Sequence, residues 1–382
     1  MRRDKKAVVF YGPDSAFESL LCGDIKECEQ TVDYLESVRT YNARIRANDL
    51  SSREIKEAIK AKVDNCIVRT NDYGSVMGHV IANFATVLEE AFEFRTAYVQ
   101  NPPRRVLSSL VSAYGTDAVD MVYAEYRELG KADLPGIYAS LHERIFGQDA
   151  CKKTLLTALY RLSVMSDDSP SVVLFYGPSG VGKTEMAKAV SESLGGKLTR
   201  VQFSMMQTSE AHEYLFGADH SKASFARDLL GRESNIVLID EFDKVHTGLY
   251  NMFYQLFDEG RYVDTNYDVD MSGSLIVLTS NFSTEEEIKR AVGPAIFSRI
   301  DACIGFEELR VEEKRAIARR QFSYIYDRLD SDDKAVIDLS DIVEWFDENA
   351  GRYDNMRILK IKVEKAIFDK LTRKMLEGEA SR

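Results

Sequence analysis

The chain has 382 residues, too many for one small module and enough for two or three. With 22 glycines, 7 prolines and 45% hydrophobic residues it is neither collagenous, linker-like nor broadly disordered, and it can bury a sizeable core. Against 50 basic residues stand 62 acidic ones, a net charge of −12, so no overall positive field draws the chain to nucleic acid or to an anionic membrane.

The longest apolar runs, such as Ser171 to Tyr176 and Leu275 to Thr279, fall far short of the roughly 20 residues that a bilayer span needs. Met1-Arg2-Arg3-Asp4-Lys5-Lys6 is followed by only a short apolar stretch, so no signal peptide is expected. Cys22, Cys28, Cys66, Cys151 and Cys303 are scattered and odd in number, and read as reduced thiols. The expectation is a soluble, acidic, cytoplasmic protein.

In chain order, residues 1–135 read as a mainly helical N-terminal domain. Asp24 with Glu27 resembles a capping box, and Ile25, Cys28, Val32, Leu35, Val38, Tyr41 and Ile45 then recur every three or four residues. Ser51-Ser52 opens a second predicted helix carrying Ile55, Ile59 and Val63. A third covers Gly78 to Val99 and stops before Pro102-Pro103, with more helix to Leu129. From residue 136 to 309 short apolar runs alternate with helical stretches: Val172–Tyr176, Val201–Phe203, Ile236–Ile239, Leu275–Thr279 and Ala302–Phe306. That rhythm predicts an α/β fold, a five-stranded parallel sheet with helices on both faces. Residues 310–382 turn helical again, with Ile317, Ile325 and Leu329 on one face and a short strand over Ala335–Leu339. Ala7-Val8-Val9-Phe10-Tyr11-Gly12-Pro13 echoes Val172-Val173-Leu174-Phe175-Tyr176-Gly177-Pro178, but lacks the lysine that follows the second copy; the echo is read as coincidence or a plain strand and turn.

Gly177-Pro178-Ser179-Gly180-Val181-Gly182-Lys183-Thr184 matches the G-x-x-x-x-G-K-[ST] phosphate loop, with a buried strand before it and a helix from Glu185 after it. Glycines let backbone amides turn inward on the phosphates, and the helix N-terminus adds partial positive charge. Lys183 would reach the β- and γ-phosphates of ATP and Thr184 would ligate Mg²⁺. Ile236-Val237-Leu238-Ile239 delivers Asp240 and Glu241 to a strand end, Asp240 for the Mg²⁺ shell and Glu241 to polarise the attacking water.

With both motifs placed, Ile145 to Leu359 resembles the AAA+ ATPases of the Clp and disaggregase branch in their second ATPase ring, and is also similar to torsins. The resemblance implies that Ile145 and Phe146 pack on adenine, that Asn281 in Leu278-Thr279-Ser280-Asn281 is sensor 1, that Arg299 is an arginine finger for a neighbouring subunit, and that Arg357 contacts nucleotide from a helical C-terminal lid. An arginine used in trans implies a homo-oligomeric ring, a hexamer by resemblance. Two departures matter. Gly217 to Phe225 has no aromatic flanked by glycines where threading rings carry their pore loop, and Tyr214, Phe216 and Phe225 read as core. Ile304-Gly305-Phe306 spells a peptidase-docking tripeptide but reads as the fifth strand, so no docking onto a Clp-type peptidase is expected. No histidine set has metal-ligand spacing, and Lys152-Lys153 and Arg319-Arg320 read as solvated helix faces. The leading expectation is a Mg²⁺-dependent ATPase remodelling a protein partner that residues 1–135 recognise. An ATP-gated switch or scaffold is the alternative, with a DNA-associated regulator behind it.

Overall fold

The structure, a computed structural model, describes residues 6–50, 60–165, 169–206, 208–338 and 340–380, without the side chains of 46–50 and 378–380. Two helices, α6 (Leu134–Arg144) and α7 (Asp149–Leu162) in chain numbering, lead into the central sheet. Its strands are β6 (Ser171–Tyr176), β7 (Thr199–Gln202), β8 (Ile236–Asp240), β11 (Leu275–Thr279) and β12 (Ala302–Gly305), as expected to within two residues at each end. All pair in parallel, in the order β12-β6-β11-β8-β7. Four consecutive apolar residues in each of β6, β8 and β11 suit strands covered on both faces. Val172, Leu174, Val237, Ile239, Ile276 and Leu278 enter one core, while Val173, Phe175, Ile236, Leu238, Leu275 and Val277 enter the other. Residues 172–175 are at most 1% exposed, worth about 1.5–3 kcal/mol each for the larger side chains.

The crossovers are α8 (Lys183–Ser193), then α9 (Thr208–Phe216) and α10 (Phe225–Leu230), then α11 (Tyr254–Glu259) with the hairpin β9 (Arg261–Val263) and β10 (Asp268–Asp270), and α12 (Glu285–Phe297). Asp301, just before β12, accepts from Val172 N at 2.8 Å and from Ser171 Oγ at 3.3 Å, tying that corner to the foot of β6. Ile304 and Phe306 are buried, so the tripeptide they bracket is core, and Tyr214 and Phe225 are buried too. The C-terminal part is a helical layer of α13 (Val311–Tyr326), α14 (Ser331–Asp338), α15 (Ile342–Asn349) and α16 (Met356–Ala380) around Ile317, Ile325, Phe346, Leu359 and Val363. The strand expected at Ala335 is part of α14.

The N-terminal part corrects the mainly helical reading. It holds β1 (Ala7–Tyr11), β2 (Thr31–Asp33), β3 (Lys62–Val68), β4 (Glu93–Gln100) and β5 (Val119–Tyr123), all parallel, in the order β2-β3-β4-β1-β5. Around them lie α1 (Asp14–Asp24), α2 (Tyr34–Leu50), α3 (Gly78–Ala82), α4 (Phe84–Ala91) and α5 (Arg104–Tyr114). Asp24 ends α1 instead of capping a helix, because the apolar spacing from Ile25 runs across a loop and β2 before α2 begins. The helix expected over Gly78–Val99 stops at Ala91, where Phe92 turns extended (φ −138°, ψ 155°). The helix expected to open at Ser51 lies mainly outside the described residues, and Val63 belongs to β3. Among the described residues no helix is long and apolar enough to cross a membrane.

Candidate active site

The carboxyl end of β6, where α/β sheets open onto ligands, leads into Gly177–Gly182 and then α8. Only glycine fits two points of this loop. At Gly177 (φ +121°) a β-carbon would lie 2.3 Å from Phe306 O, and at Gly180 (φ +80°) one would lie 2.5 Å from Asn355 Oδ1. Pro178, Ser179, Val181 and Gly182 complete the loop. Lys183, 8% exposed, begins α8 and folds back over it: Nζ donates to Gly177 O at 2.6 Å, Pro178 O at 2.9 Å and Asn281 Oδ1 at 3.1 Å. Burial pushes its ammonium down to about 8, against the pull of Asp240, Asp243 and Glu241. A charged donor parked on loop carbonyls is ready to exchange them for phosphate oxygens.

One strand over, β8 ends on Asp240, 6% exposed, and Glu241 in the left-handed region (φ 56°). Both are held by Thr279 at the end of β11. Its hydroxyl donates to Asp240 Oδ1 and accepts from Glu241 N, the latter at 2.9 Å. Arg200 on β7 donates through Nε to Asp240 Oδ2 at 2.9 Å. The Ser204 hydroxyl, followed by the Gln202 amide, holds the Glu241 carboxyl below its usual range, so it is ionised at neutral pH. An ionised carboxylate beside a phosphate cradle can orient and polarise water.

Thr184, in the first turn of α8, and Asp240 supply hard oxygen donors, the set that suits Mg²⁺. Asp240 fits this use through the cation's water shell, since both its oxygens already accept protein hydrogen bonds. A divalent cation there would neutralise phosphate charge.

A cavity of about 300 Å³ opens beside the loop, bounded by Ile145, Phe146, Gly180–Gly182 and Glu185 on one side and Ile317, Arg320, Tyr324, Met356 and Lys360 of the helical layer on the other. A cavity of about 360 Å³ between Gln148 and Glu313 is lined by Asp149, Glu307, Glu308 and Glu313, whose charge repels phosphate. The first, contiguous with the loop, is the one of the two that could hold a base and sugar. Ile145 is buried against Gly182, and Phe146 joins the core of the helical layer. Glu185 is bound by Arg144 at 2.8 Å. Arg320 is no plain solvated face: Nη1 donates to Glu143 O at 2.7 Å, bridging the helical layer to the sheet module, while Lys152 is 2% exposed and paired with Asp149.

The structure thus brings Lys183, Thr184, Asp240, Glu241 and Asn281 to one edge. Arg357 sits exposed at the start of α16, its N–H donating to Asn355 Oδ1 at 2.8 Å, and among the described residues it is Asn355, Met356 and Lys360 that face the loop and cavity. Arg299 is engaged elsewhere: it donates to Asp258 Oδ2 at 2.8 Å and Ala295 O at 2.6 Å and lies over the Tyr254 ring. Sequence reasoning missed Arg200, Thr279, Gln202 and Asn355. Thr279 had a signal, since it stands level with Asp240, one step beyond the Leu278–Ile239 pair of the neighbouring strands.

A family profile described as AAA domain (Cdc48 subfamily) matches residues 168–326. The chain is 31% identical to the chaperone protein ClpB of Corynebacterium efficiens over 72% of this chain and 34% of that protein. It is 28% identical to chaperone protein ClpB 2 of Nostoc sp. over 66% of this chain and 33% of the relative, and 31% identical to heat shock protein 100 of Trypanosoma brucei brucei over 63% and 32%. It therefore spans about a third of the length of these relatives. Phosphate loop, acidic strand end, sheet order and these likenesses together make the module an AAA+ ATPase of the Clp and disaggregase type.

Proposed function

We propose that this ATPase is Mg²⁺-dependent, works as a head-to-tail homo-oligomer and remodels a protein partner bound through the N-terminal part. The domain limits then fall near residues 135 and 309. Thr184 and Asp240 hold the cation, Glu241 polarises the attacking water, and Asn281 sets the water against the γ-phosphate. Arg357 acts from the lid. The observation that supports the reading is that Lys183 and Asn281 meet at one edge, while Arg299 is paired with Asp258 and Ala295 O instead of with the phosphate loop. An arginine finger there serves a neighbouring subunit. Relatives named as chaperones support a protein substrate.

The test is Glu241→Gln in the full chain. Nucleotide binding is retained, turnover falls at least a hundredfold, and the ATP-bound oligomer persists through gel filtration. Normal turnover in this variant overturns the role of Glu241. The same variant, used as bait, retains the partner.

A second reading, an ATP-gated switch without threading, is favoured by one observation. The stretch at the pore-loop position is held by the N-terminal part, through His220 on Val76 O at 3.0 Å. Processing of a tagged unfolded substrate with stimulated ATPase would refute it.

A further inference from the structure

The two sheets share one plan. Written by order of appearance within each, both run fifth-first-fourth-third-second. Register makes the match residue by residue. Phe10 O accepts from Asn101 N as Phe175 O does from Ser280 N, and Tyr11 O accepts from Ala124 N as Tyr176 O does from Phe306 N. Thr70 N donates to the Gln100 side chain at 3.2 Å as Glu241 N does to the Thr279 side chain at 2.9 Å. The echo of Phe-Tyr-Gly-Pro is therefore no coincidence: Tyr11-Gly12-Pro13 stands where Tyr176-Gly177-Pro178 stands.

On that correspondence the loop, lysine, acid and sensor positions have all been replaced, and only the Thr184 hydroxyl keeps a counterpart, in Ser15. Gly12 and Pro13 alone join β1 to α1, where Gly177–Gly182 join β6 to α8. The α1 helix opens on Asp14 where α8 opens on Lys183. Arg69 and Thr70 follow β3 at the register of Asp240 and Glu241, and Pro102 stands at that of Asn281. The carbonyl that would take the lysine, Gly12 O, accepts instead from Asn101 Nδ2 at 2.8 Å, and Asn101 Oδ1 accepts from Gly12 N at 2.8 Å. Asn101 is 1% exposed. The phosphate space is closed by a neutral amide, with an acid in the first turn of the helix.

That closed edge is occupied by the ATPase module. Arg227 Nη2 donates to Thr70 O at 3.2 Å and Asn71 Oδ1 at 2.7 Å, Arg104 N donates to Asn266 O at 2.8 Å while the Arg104 guanidinium pairs with Asp268 at 3.5 Å, and His220 bonds Val76 O. Tyr11 packs against the cores of both units. We infer that residues 6–50 and 60–124 form a nucleotide-silent second copy of the ATPase sheet whose converted edge binds the 217–232 segment and the 264–268 turn of its own chain, pinning the stretch at the pore-loop position.

Two measurements on the full chain test this. Equilibrium dialysis with a nonhydrolysable ATP analogue and Mg²⁺ gives one nucleotide per chain, lost entirely in Lys183→Ala; a second bound nucleotide, or one retained in that variant, overturns the silent copy. Hydrogen exchange by mass spectrometry compares wild type with Arg227→Ala/Arg104→Ala, whose circular dichroism and nucleotide binding verify the fold. Exchange of the 217–225 and 70–76 amides rises together, by about tenfold for about one lost hydrogen bond's worth of closure. Unchanged exchange at 217–225 overturns the pinning. His220→Ala gives the same reading should the double variant not fold.

Discussion

Thr279→Val isolates the hydroxyl that holds both acids of the site. Valine preserves the shape at a position 1% exposed, and removes the donor to Asp240 Oδ1 and the acceptor for Glu241 N together. A hydrogen bond to a charged group contributes about 1.5–3 kcal/mol, and an orphaned buried amide costs about 1–3 kcal/mol. The two share one oxygen and do not add in full, so the expected loss is about 3 kcal/mol, more than a hundredfold in the local opening constant. Glu241 also loses the bond that keeps it at φ 56°, a conformation costing roughly 1–2 kcal/mol for a non-glycine residue. The carboxylate then leaves its place and ATP turnover falls at least tenfold. Hydrogen exchange of the β8 and β11 amides reads the stability and steady-state ATPase reads the function, with Thr279→Ser as the control that keeps a hydroxyl. A valine variant within about 0.5 kcal/mol of wild type by exchange and within twofold in turnover refutes the reasoning.

Three further outcomes follow from the same geometry. Lys183 is pushed down to about 8 by burial, so ATP affinity is flat below about pH 7 and weakens above pH 8 as the free lysine loses its proton. Binding near pH 8.5 takes up a proton, read by calorimetry in two buffers; the folded pKa lies below the unfolded value of 10.5, so the free protein also gains stability as pH rises from 8 to 10.5. Gly180→Ala costs about 1–2 kcal/mol at φ +80° and drives a β-carbon into Asn355, so nucleotide affinity drops about tenfold and Asn355→Ala in the same chain restores part of it. Arg299→Ala subunits are inactive alone and recover turnover when mixed with Lys183→Ala subunits; confirmed mixed oligomers with no activity would sink the shared site.

The ATPase sheet was legible because its strands are short runs of four or more apolar residues, buried on both faces and punctuated by glycine-rich or acidic ends. Lys183, Asp240 and Glu241 were legible because their chemistry needs fixed spacing along one chain. The N-terminal sheet was not. Its strands carry polar or charged residues, as in Lys62-Val63-Asp64-Asn65 and Glu93-Phe94-Arg95-Thr96, and the three-to-four spacing of apolar residues runs unbroken from α4 into β4. Periodicity alone cannot mark where a helix becomes an extended run. Arg200 and Asn355 were hidden for another reason: each acts across the fold, on Asp240 and on Gly180, and no local pattern announces such a contact.

The bond from Asp301 to Val172 N has a mechanical consequence. Arg299 stands two residues before that anchor, and β6, a strand of 6 residues, runs from the anchor to Gly177. A tug on Arg299 is therefore delivered at one end of an extended rod about 20 Å long whose other end is the phosphate loop. Parallel partners on both sides, β12 and β11, keep that rod from buckling. In the proposed head-to-tail oligomer, occupancy of one subunit's site would in this way be felt as strain in the next, through a single strand and without any rearrangement of the core.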